Sequence, residues 1–295
     1  TNRSNYVRQY ELAAANPEFI FSQHLNSTQW DHNAMMEVAT AKTFSDVKYD
    51  EVLALLKSAT ANAADFTLSV VGNVDAATLR PLLEKYVASL PSLGKSNKPA
   101  VLTPIALASG RPSDVFDLQM QTPQVKVFGA FSGELPYTMA NSAQLNLLGE
   151  VLGNIYTLTL REEEGGTYSP GAFGTLYPFS KQWMLAYIFI TNSEMSQRLQ
   201  ERAYKEAMNL FANGAKEDMF NQVKEAAINQ YTIQERTNSF WVSALMNKER
   251  GLDTGVGRDT YLRGLTIDKF NEFVKSINNG GSNYIKVVMN GVPVE

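Results

Sequence analysis

At 295 residues the chain is long enough to form one large or two smaller domains with buried cores. Hydrophobic residues at 44% and charged residues at 19% are ordinary for a globular protein, and a net charge of −4 with scattered cations gives no basic field for nucleic acid. The absence of cysteine excludes disulfides, thiolate zinc sites and a cysteine nucleophile, while two histidines, His24 and His32, are too few for a self-contained histidine-rich metal site.

The start, TNRSNYVRQY, has no hydrophobic signal core, so the expectation is a targeting peptide that was removed or never existed. Residues 17–45 read as irregular to helical. VKYDEVLALLKSA carries Val52, Leu53, Leu55 and Leu56 at helical spacing, and DFTLSVVGNV then reads as a strand ending at Gly72 and Asn73. Asp75 is placed to cap the helix AATLRPLLEKYVASL. PSLGKSNKPA is the best linker in the chain.

A second block follows. SDVFDLQM and QVKVFGAFSG read as strands, and residues 138–163 as a long helix ended by Gly165 and Gly166 in a left-handed cap. TYSPGAFGTLYPF and QWMLAYIFIT form a predicted hairpin, with Trp183, Tyr187 and Phe189 alternating onto one face. The apolar run around 183–190 is a strand rather than a membrane span. Helices are predicted over 194–211 and from 217 toward 250, the second of them interrupted. GLDTGVGRDT reads as a loop, Thr266 as the cap of IDKFNEFVKSI, and NYIKVVMNGV as a final strand.

An internal repeat sets the expected organisation. YDEVLALLKSATANAADFTLSVVGNV aligns without a gap on IDKFNEFVKSINNGGSNYIKVVMNGV at a constant offset of 218 residues, from Asp50 to Asp268 and from Lys57 to Lys275. Ser58/Ser276, Val70/Val288 and Val74/Val292 are also identical, and Phe66 faces Tyr284. Both copies read as helix, Gly/Asn/Ala-rich turn and strand. A period of this length leaves room for little more than one copy, so the chain is expected to be a slice of a longer protein.

Three segments carry a family resemblance. FTLSVVGNVDAATLRPLLEKYVASLPS resembles the closing strand, turn and helix of one module of the pitrilysin-like (M16, inverted-zincin) peptidases. QTPQVKVFGAFSG resembles the strand that opens the next module, and LREEEGGTYSPGAFG the Arg-x6-Tyr-Ser element of the family's C-terminal half. The resemblance implies an α+β fold, an antiparallel sheet backed by long helices, of the type shared with mitochondrial processing peptidases. It implies residues 1–95 as the tail of a preceding module, 96–111 as a linker and 112–295 as a complete module. In the family, His-x-x-Glu-His plus a downstream glutamate hold zinc. Here His24 and His32 are eight residues apart and Glu37 lies five after His32, so the motif is missing. The implied fragment carries no cofactor, its zinc belonging to the parent, and does not cleave peptides alone.

By the same resemblance Arg161 and Tyr168 are the catalytic pair, projecting from the second half of a clamshell, with Ser169 beside them in substrate binding. A neutral phenol and a permanently charged guanidinium are suitable donors to a developing oxyanion or to substrate carbonyls. A plainer reading of the residues pairs Arg161 with Glu163 or Glu164 at a helix end and half-buries Tyr168 in a strand. Consecutive glutamates 162–164 point in different directions and make a poor glycosidase pair. Ser169 precedes Pro170 and has no histidine near it in sequence, so it is no nucleophile. The glycines of this stretch lack the Gly-Lys-Ser/Thr of a phosphate loop. The strand over 124–131 would pair with an extended peptide if it were an edge.

The implied function is the C-terminal, substrate-clamping portion of a zinc peptidase. Its partners would be peptide or unfolded protein and the zinc-bearing N-terminal half, without nucleic acid or membrane. An extracytoplasmic bacterial location fits the resemblance better than a cytoplasmic one. The alternative is a non-catalytic scaffold or partner subunit of the same fold.

Overall fold

The computed structural model describes residues 2–96 and 103–294. They divide into two compact units. The larger comprises Ala15–Val38, Pro104–Gln234 and the chain from Gly255 onward. The smaller comprises the N-terminal residues up to Ala14, the described residues from Ala39 to Thr103, and Glu235–Thr254. The units cut across the sequence blocks: residues 15–38 join the larger and 235–254 the smaller.

The larger unit is built on a five-stranded sheet. In chain order its strands are β1 (Ser113–Met120), β2 (Val125–Glu134), β3 (Gly171–Tyr177), β4 (Gln182–Thr191) and β5 (Tyr284–Pro293), and in space β1-β5-β2-β4-β3. All neighbours are antiparallel except β1 against β5, which run parallel with Val115 opposite Val288. The sheet expected to be antiparallel therefore contains one parallel pair. β2 lies between β5 and β4, so the strand considered as a peptide-pairing edge has both sides occupied. Its near-continuous burial matches its near-continuous apolar sequence, as a central strand covered on both faces requires.

One face is covered by α6 (Met139–Tyr156), α7 (Ser193–Asn213), α8 (Glu217–Gln234), α10 (Arg258–Gly264) and α11 (Ile267–Ser276). Leu145, Leu148, Val151 and Leu152 of α6 meet Trp183, Leu185, Tyr187 and Phe189 of β4 there, on the face that the alternating aromatics predict. Opposite, α2 (Pro17–Gln29) lays Phe21 against Phe128, Ala130, Val287 and Met289. Asn16 caps α2 by accepting from the Glu18 N–H at 2.8 Å, with Pro17 in the first turn, where its missing N–H leaves no gap. Part of the expected linker is core: Leu107 is buried, and the Ala108 N–H donates to the Gln29 carbonyl at 2.9 Å. Residues 97–102 of that linker lie outside the described residues. The segment expected as one loop at 251–260 already contains the start of α10, a short helix masked in the sequence by the glycines before it.

The smaller unit is helical. α1 (Asn2–Ala13) packs on α3 (Ala41–Ser45) through Tyr6 and Tyr10, whose rings lie 5.1 and 4.7 Å from that of Phe44. α4 (Tyr49–Ala59), α5 (Ala76–Tyr86) and α9 (Asn238–Glu249) complete it, with Asp75 capping α5 by accepting from the Thr78 N–H at 2.8 Å. The strand expected over 65–74 is absent from this unit. A strand exists only when neighbours take up its N–H and C=O groups, and no described strand lies beside it.

Candidate functional site

The site begins with an irregularity at the end of α6. Thr138 caps the helix, and regular turns run to Tyr156. From there Thr157–Glu163 form a π-helix, the widened turn that often marks a functional segment. Two threonines favour the departure: the Thr157 hydroxyl donates to the Gly153 carbonyl at 3.0 Å, and Thr159 to Ile155 at 2.8 Å, in competition with the backbone ladder. Gly165 then closes the helix at φ +62, its N–H donating to the Arg161 carbonyl at 3.0 Å, while the Gly166 N–H reaches Leu160 at 3.1 Å.

The turn is pinned on two sides. Thr191 at the end of β4 donates its hydroxyl to the Gly166 carbonyl at 2.6 Å. A Cβ on Gly166 would sit 2.6 Å from Leu199 Cδ1 and 2.9 Å from Met195 Cε of α7, so a larger residue there requires those side chains to shift. The chain leaves this anchored turn with Tyr168 pointing outward, 81% exposed.

Arg161 lies with its guanidinium carbon 5.1 Å from the centre of the Tyr168 ring, a cation–π contact. The plainer expectation, that Arg161 pairs with Glu163 or Glu164, is not what the structure shows. Glu163 is held by Arg202 at 2.9 Å and Glu164 by Arg198 at 2.6 Å, both arginines standing on α7. No ion pair forms at Arg161 among the described residues. Tyr168 is exposed on the surface rather than half-buried in a strand; β3 begins only at Gly171. Arg161 and Tyr168 therefore come together, both exposed and without a carboxylate partner among the described residues.

Tyr168 and Ser169 border a cavity of about 380 Å³ whose other walls are Lys126, Thr167, Ile188, Phe189 and Ile190. Sequence reasoning misses Lys126; the one signal is a cation inside the apolar run VKVFGAF. Its stem is buried on β2, its ammonium lies 4.7 Å from the Phe21 ring centre, and it pairs with Glu18 of α2. Neither histidine borders this cavity, so Ser169 has no histidine base there, and Lys126 in its wall is paired with Glu18.

The residues present do not fit a catalytic zinc. His24 Nδ1 lies 2.7 Å from Asp114 Oδ2, with its ring stacked on Phe116 at 3.7 Å, and His32 Nδ1 bonds the Ser27 hydroxyl at 2.6 Å. Both are engaged in packing and local hydrogen bonds. Among the described residues no three side chains of His, Cys, Asp or Glu come together as a metal group. No described helix is long and apolar enough to cross a membrane.

Proteases and an M16 domain of known structure share this fold. The zinc protease PqqL of Escherichia coli, described as probable, is 21% identical over 262 residues, covering 86% of this chain and 28% of that protein. The crystal structure of the same periplasmic protease superposes with a TM-score of 0.81 at 18% identity, over 98% of this chain and 32% of that one. The ferredoxin protease FusC, solved as a mutant in complex with Arabidopsis ferredoxin, gives 0.78 at 13% identity over 100% of this chain and 32% of that one. A peptidase M16 inactive domain from Pseudomonas fluorescens gives 0.72 at 17% identity, over 99% and 70%. The chain thus spans about a third of the length of the two proteases. The family model described as the peptidase M16 inactive domain matches residues 46–227, more than half of the sequence. The chain belongs to the M16 peptidase family, through its inactive domain.

Proposed function

We propose that the chain is the substrate-clamping side of an M16 zinc peptidase, completing an active site whose metal is held by a separate N-terminal half. Residues 1–95 would be the tail of a preceding module, 96–111 its connection, and 112–295 one whole module. The observation that carries the reading is the guanidinium of Arg161. It has no carboxylate partner among the described residues and rests on the exposed ring of Tyr168, which borders a cavity together with Ser169.

In this role Arg161 and Tyr168 donate hydrogen bonds to the carbonyl groups of an extended peptide. They donate most strongly when negative charge develops on the carbonyl oxygen under attack, which is the condition for lowering a barrier rather than only binding substrate. The phenol acts as a neutral donor and needs no ionisation. Ser169 contributes a hydroxyl to peptide binding and is not a nucleophile. The substrate would be a peptide or an unfolded protein, and the descriptions of PqqL and FusC as proteases support that class. An extracytoplasmic setting belongs to the same proposal, supported by the periplasmic description of PqqL.

The test is made in the full-length parent, with Arg161→Ala and Tyr168→Phe assayed for peptide turnover and for bound zinc. Each substitution should lower kcat/KM by roughly 100-fold, the scale of one lost oxyanion donor, with zinc content unchanged. Wild-type turnover in both variants refutes the assignment. A parent that binds peptide without any turnover would be a scaffold instead.

A further inference from the structure

A second cavity, of about 340 Å³, lies between α6, α8, α10 and the edge strand β3, with Arg258, Tyr231, Asn146, Gln230, Glu150 and Phe173 in its walls. Arg258 is its chemical centre. Its guanidinium carbon stands 4.7 Å from the centre of the Tyr231 ring. Nη1 donates to the Tyr231 hydroxyl at 2.8 Å, and Nη2 reaches the Ser142 hydroxyl at 3.4 Å. The buried Nε–H has no partner.

The neutral groups around it satisfy one another. With its amide oriented to fit its surroundings, Asn146 accepts from the Tyr231 hydroxyl at 3.1 Å and donates to the carbonyls of Ser142 and Gly174 at 3.3 and 3.0 Å. This ties α6, α8 and β3 into one frame around the guanidinium and leaves the charge itself unmatched. The contrast with α7 is informative: Arg202 holds Glu163 and Glu206, at 2.9 and 2.8 Å. Arg258 is partly buried and makes no ion pair among the described residues. A cation drawn out of water against neutral partners is unfavourable unless a counter-charge reaches it.

We propose that this cavity is a binding site for a peptide carboxylate, held by Arg258 and framed by Tyr231 and Asn146. A planar guanidinium offers parallel N–H groups that match the two oxygens of a carboxylate, and the aromatic ring beneath keeps the guanidinium in plane. The volume suits a few atoms on either side of the carboxylate rather than a long segment. The Gln230 amide can bond a peptide group next to it. Exposed Glu150 on the same wall disfavours ligands of higher negative charge, such as phosphate, more than a single carboxylate. The site is independent of the Arg161–Tyr168 assignment and needs no metal.

Two sources of the same chemistry are open, a free C-terminus and an acidic side chain, and three probes separate them. The full chain is titrated with acetyl-Gly-Gly as its acid, with its C-terminal amide, and with acetyl-Asp-amide, followed by residue-resolved NMR. The acid should saturate with a millimolar or tighter Kd and the amide should bind at least tenfold more weakly, a difference of about 1.4 kcal/mol. Saturation by acetyl-Asp-amide as well assigns the site to any peptide carboxylate; its silence assigns it to the C-terminus. Arg258→Gln should weaken the acid by at least tenfold, and Arg258→Lys should retain part of the binding through its charge. Equal responses to acid and amide, no response to either up to about 50 mM, or wild-type binding by Arg258→Gln overturns the proposal. If Arg258→Gln fails to fold, the acid–amide comparison on the unaltered chain decides alone.

Discussion

Tyr187 of β4 and Tyr284 of β5 bond hydroxyl to hydroxyl at 2.5 Å, across the strand that separates them. Gly129 of β2 makes room, since a Cβ there would fall 2.7 Å from Tyr187 Cε1. Burial raises both hydroxyls, Tyr187 well above the ordinary range and Tyr284 to about 12. The sign follows from where the proton is held more tightly. Both groups stay neutral in the fold while an unfolded tyrosine ionises near pH 10, so their contribution is complete below about pH 10 and is lost as pH rises toward 12. Urea unfolding at pH 8 and at pH 11 should show the chain markedly less stable at the higher value. Tyr284→Phe should flatten that slope while costing about 1 kcal/mol at pH 8 for the hydrogen bond that Tyr187 loses. Equal stability at both pH values in the unaltered chain would contradict the argument. At this scale the sequence is partly legible. The alternation of Trp183, Tyr187 and Phe189 predicts a buried face, and Arg161 and Tyr168 stand out through the motif around them. The capture of Glu163 and Glu164 by Arg202 and Arg198 is not legible, because those pairs join segments far apart in the chain and leave no local spacing to read.

Among the elements, the end of α6 decides where the candidate pair stands. The apolar spacing of residues 138–163 predicts one helix, and one helical segment is present, but periodicity cannot distinguish a regular last turn from a π turn. The two threonine back-bonds are the local sequence trace of that change. Gly165 follows at φ +62 with open space where a Cβ would stand, so its substitution isolates the backbone effect from packing. Gly165→Ala should cost about 1 kcal/mol, read as a lower urea midpoint with unchanged m-value, and Gly165→Asn distinctly less, because asparagine tolerates the left-handed region. If the turn also aims Tyr168, Gly165→Ala in the parent should lower kcat/KM although it touches neither donor. An alanine variant as stable as wild type would show that the cap does not hold this turn. The short helix α10 illustrates the opposite failure of reading: Gly251, Gly255 and Gly257 signal a loop, and the loop is real, but it ends at Arg258 rather than after it.

On the scale of the whole molecule, the two copies of the repeat meet different surroundings. Phe273 and Val274 of α11 are 8% and 0% exposed, whereas their counterparts Leu55 and Leu56 of α4 are 71% and 58% exposed. Tyr284 and Val288 are buried in β5, while Phe66 and Val70 lie exposed in a segment that joins no sheet. The same helix–turn–strand pattern thus has its apolar face covered in one copy and open in the other. Sequence alone reports the pattern; whether a sheet exists to receive it depends on strands elsewhere, which is why the second copy is legible in full and the first only in its helix. The contrast supports the proposed order, in which the first copy closes a preceding module. It also separates two classes of substitution within the chain. Val274→Ala should cost about 2 kcal/mol or more through lost burial and a residual cavity, seen as reduced hydrogen-exchange protection in α11. Leu55→Ala should stay within about 0.5 kcal/mol, with protection in α4 unchanged, because the side chain has little burial to lose. Under the proposed order this asymmetry disappears in the full-length parent, where a sheet covers α4. There Leu55→Ala should become as damaging as Val274→Ala, and a leucine that remains dispensable in the parent would remove the first copy from any module core.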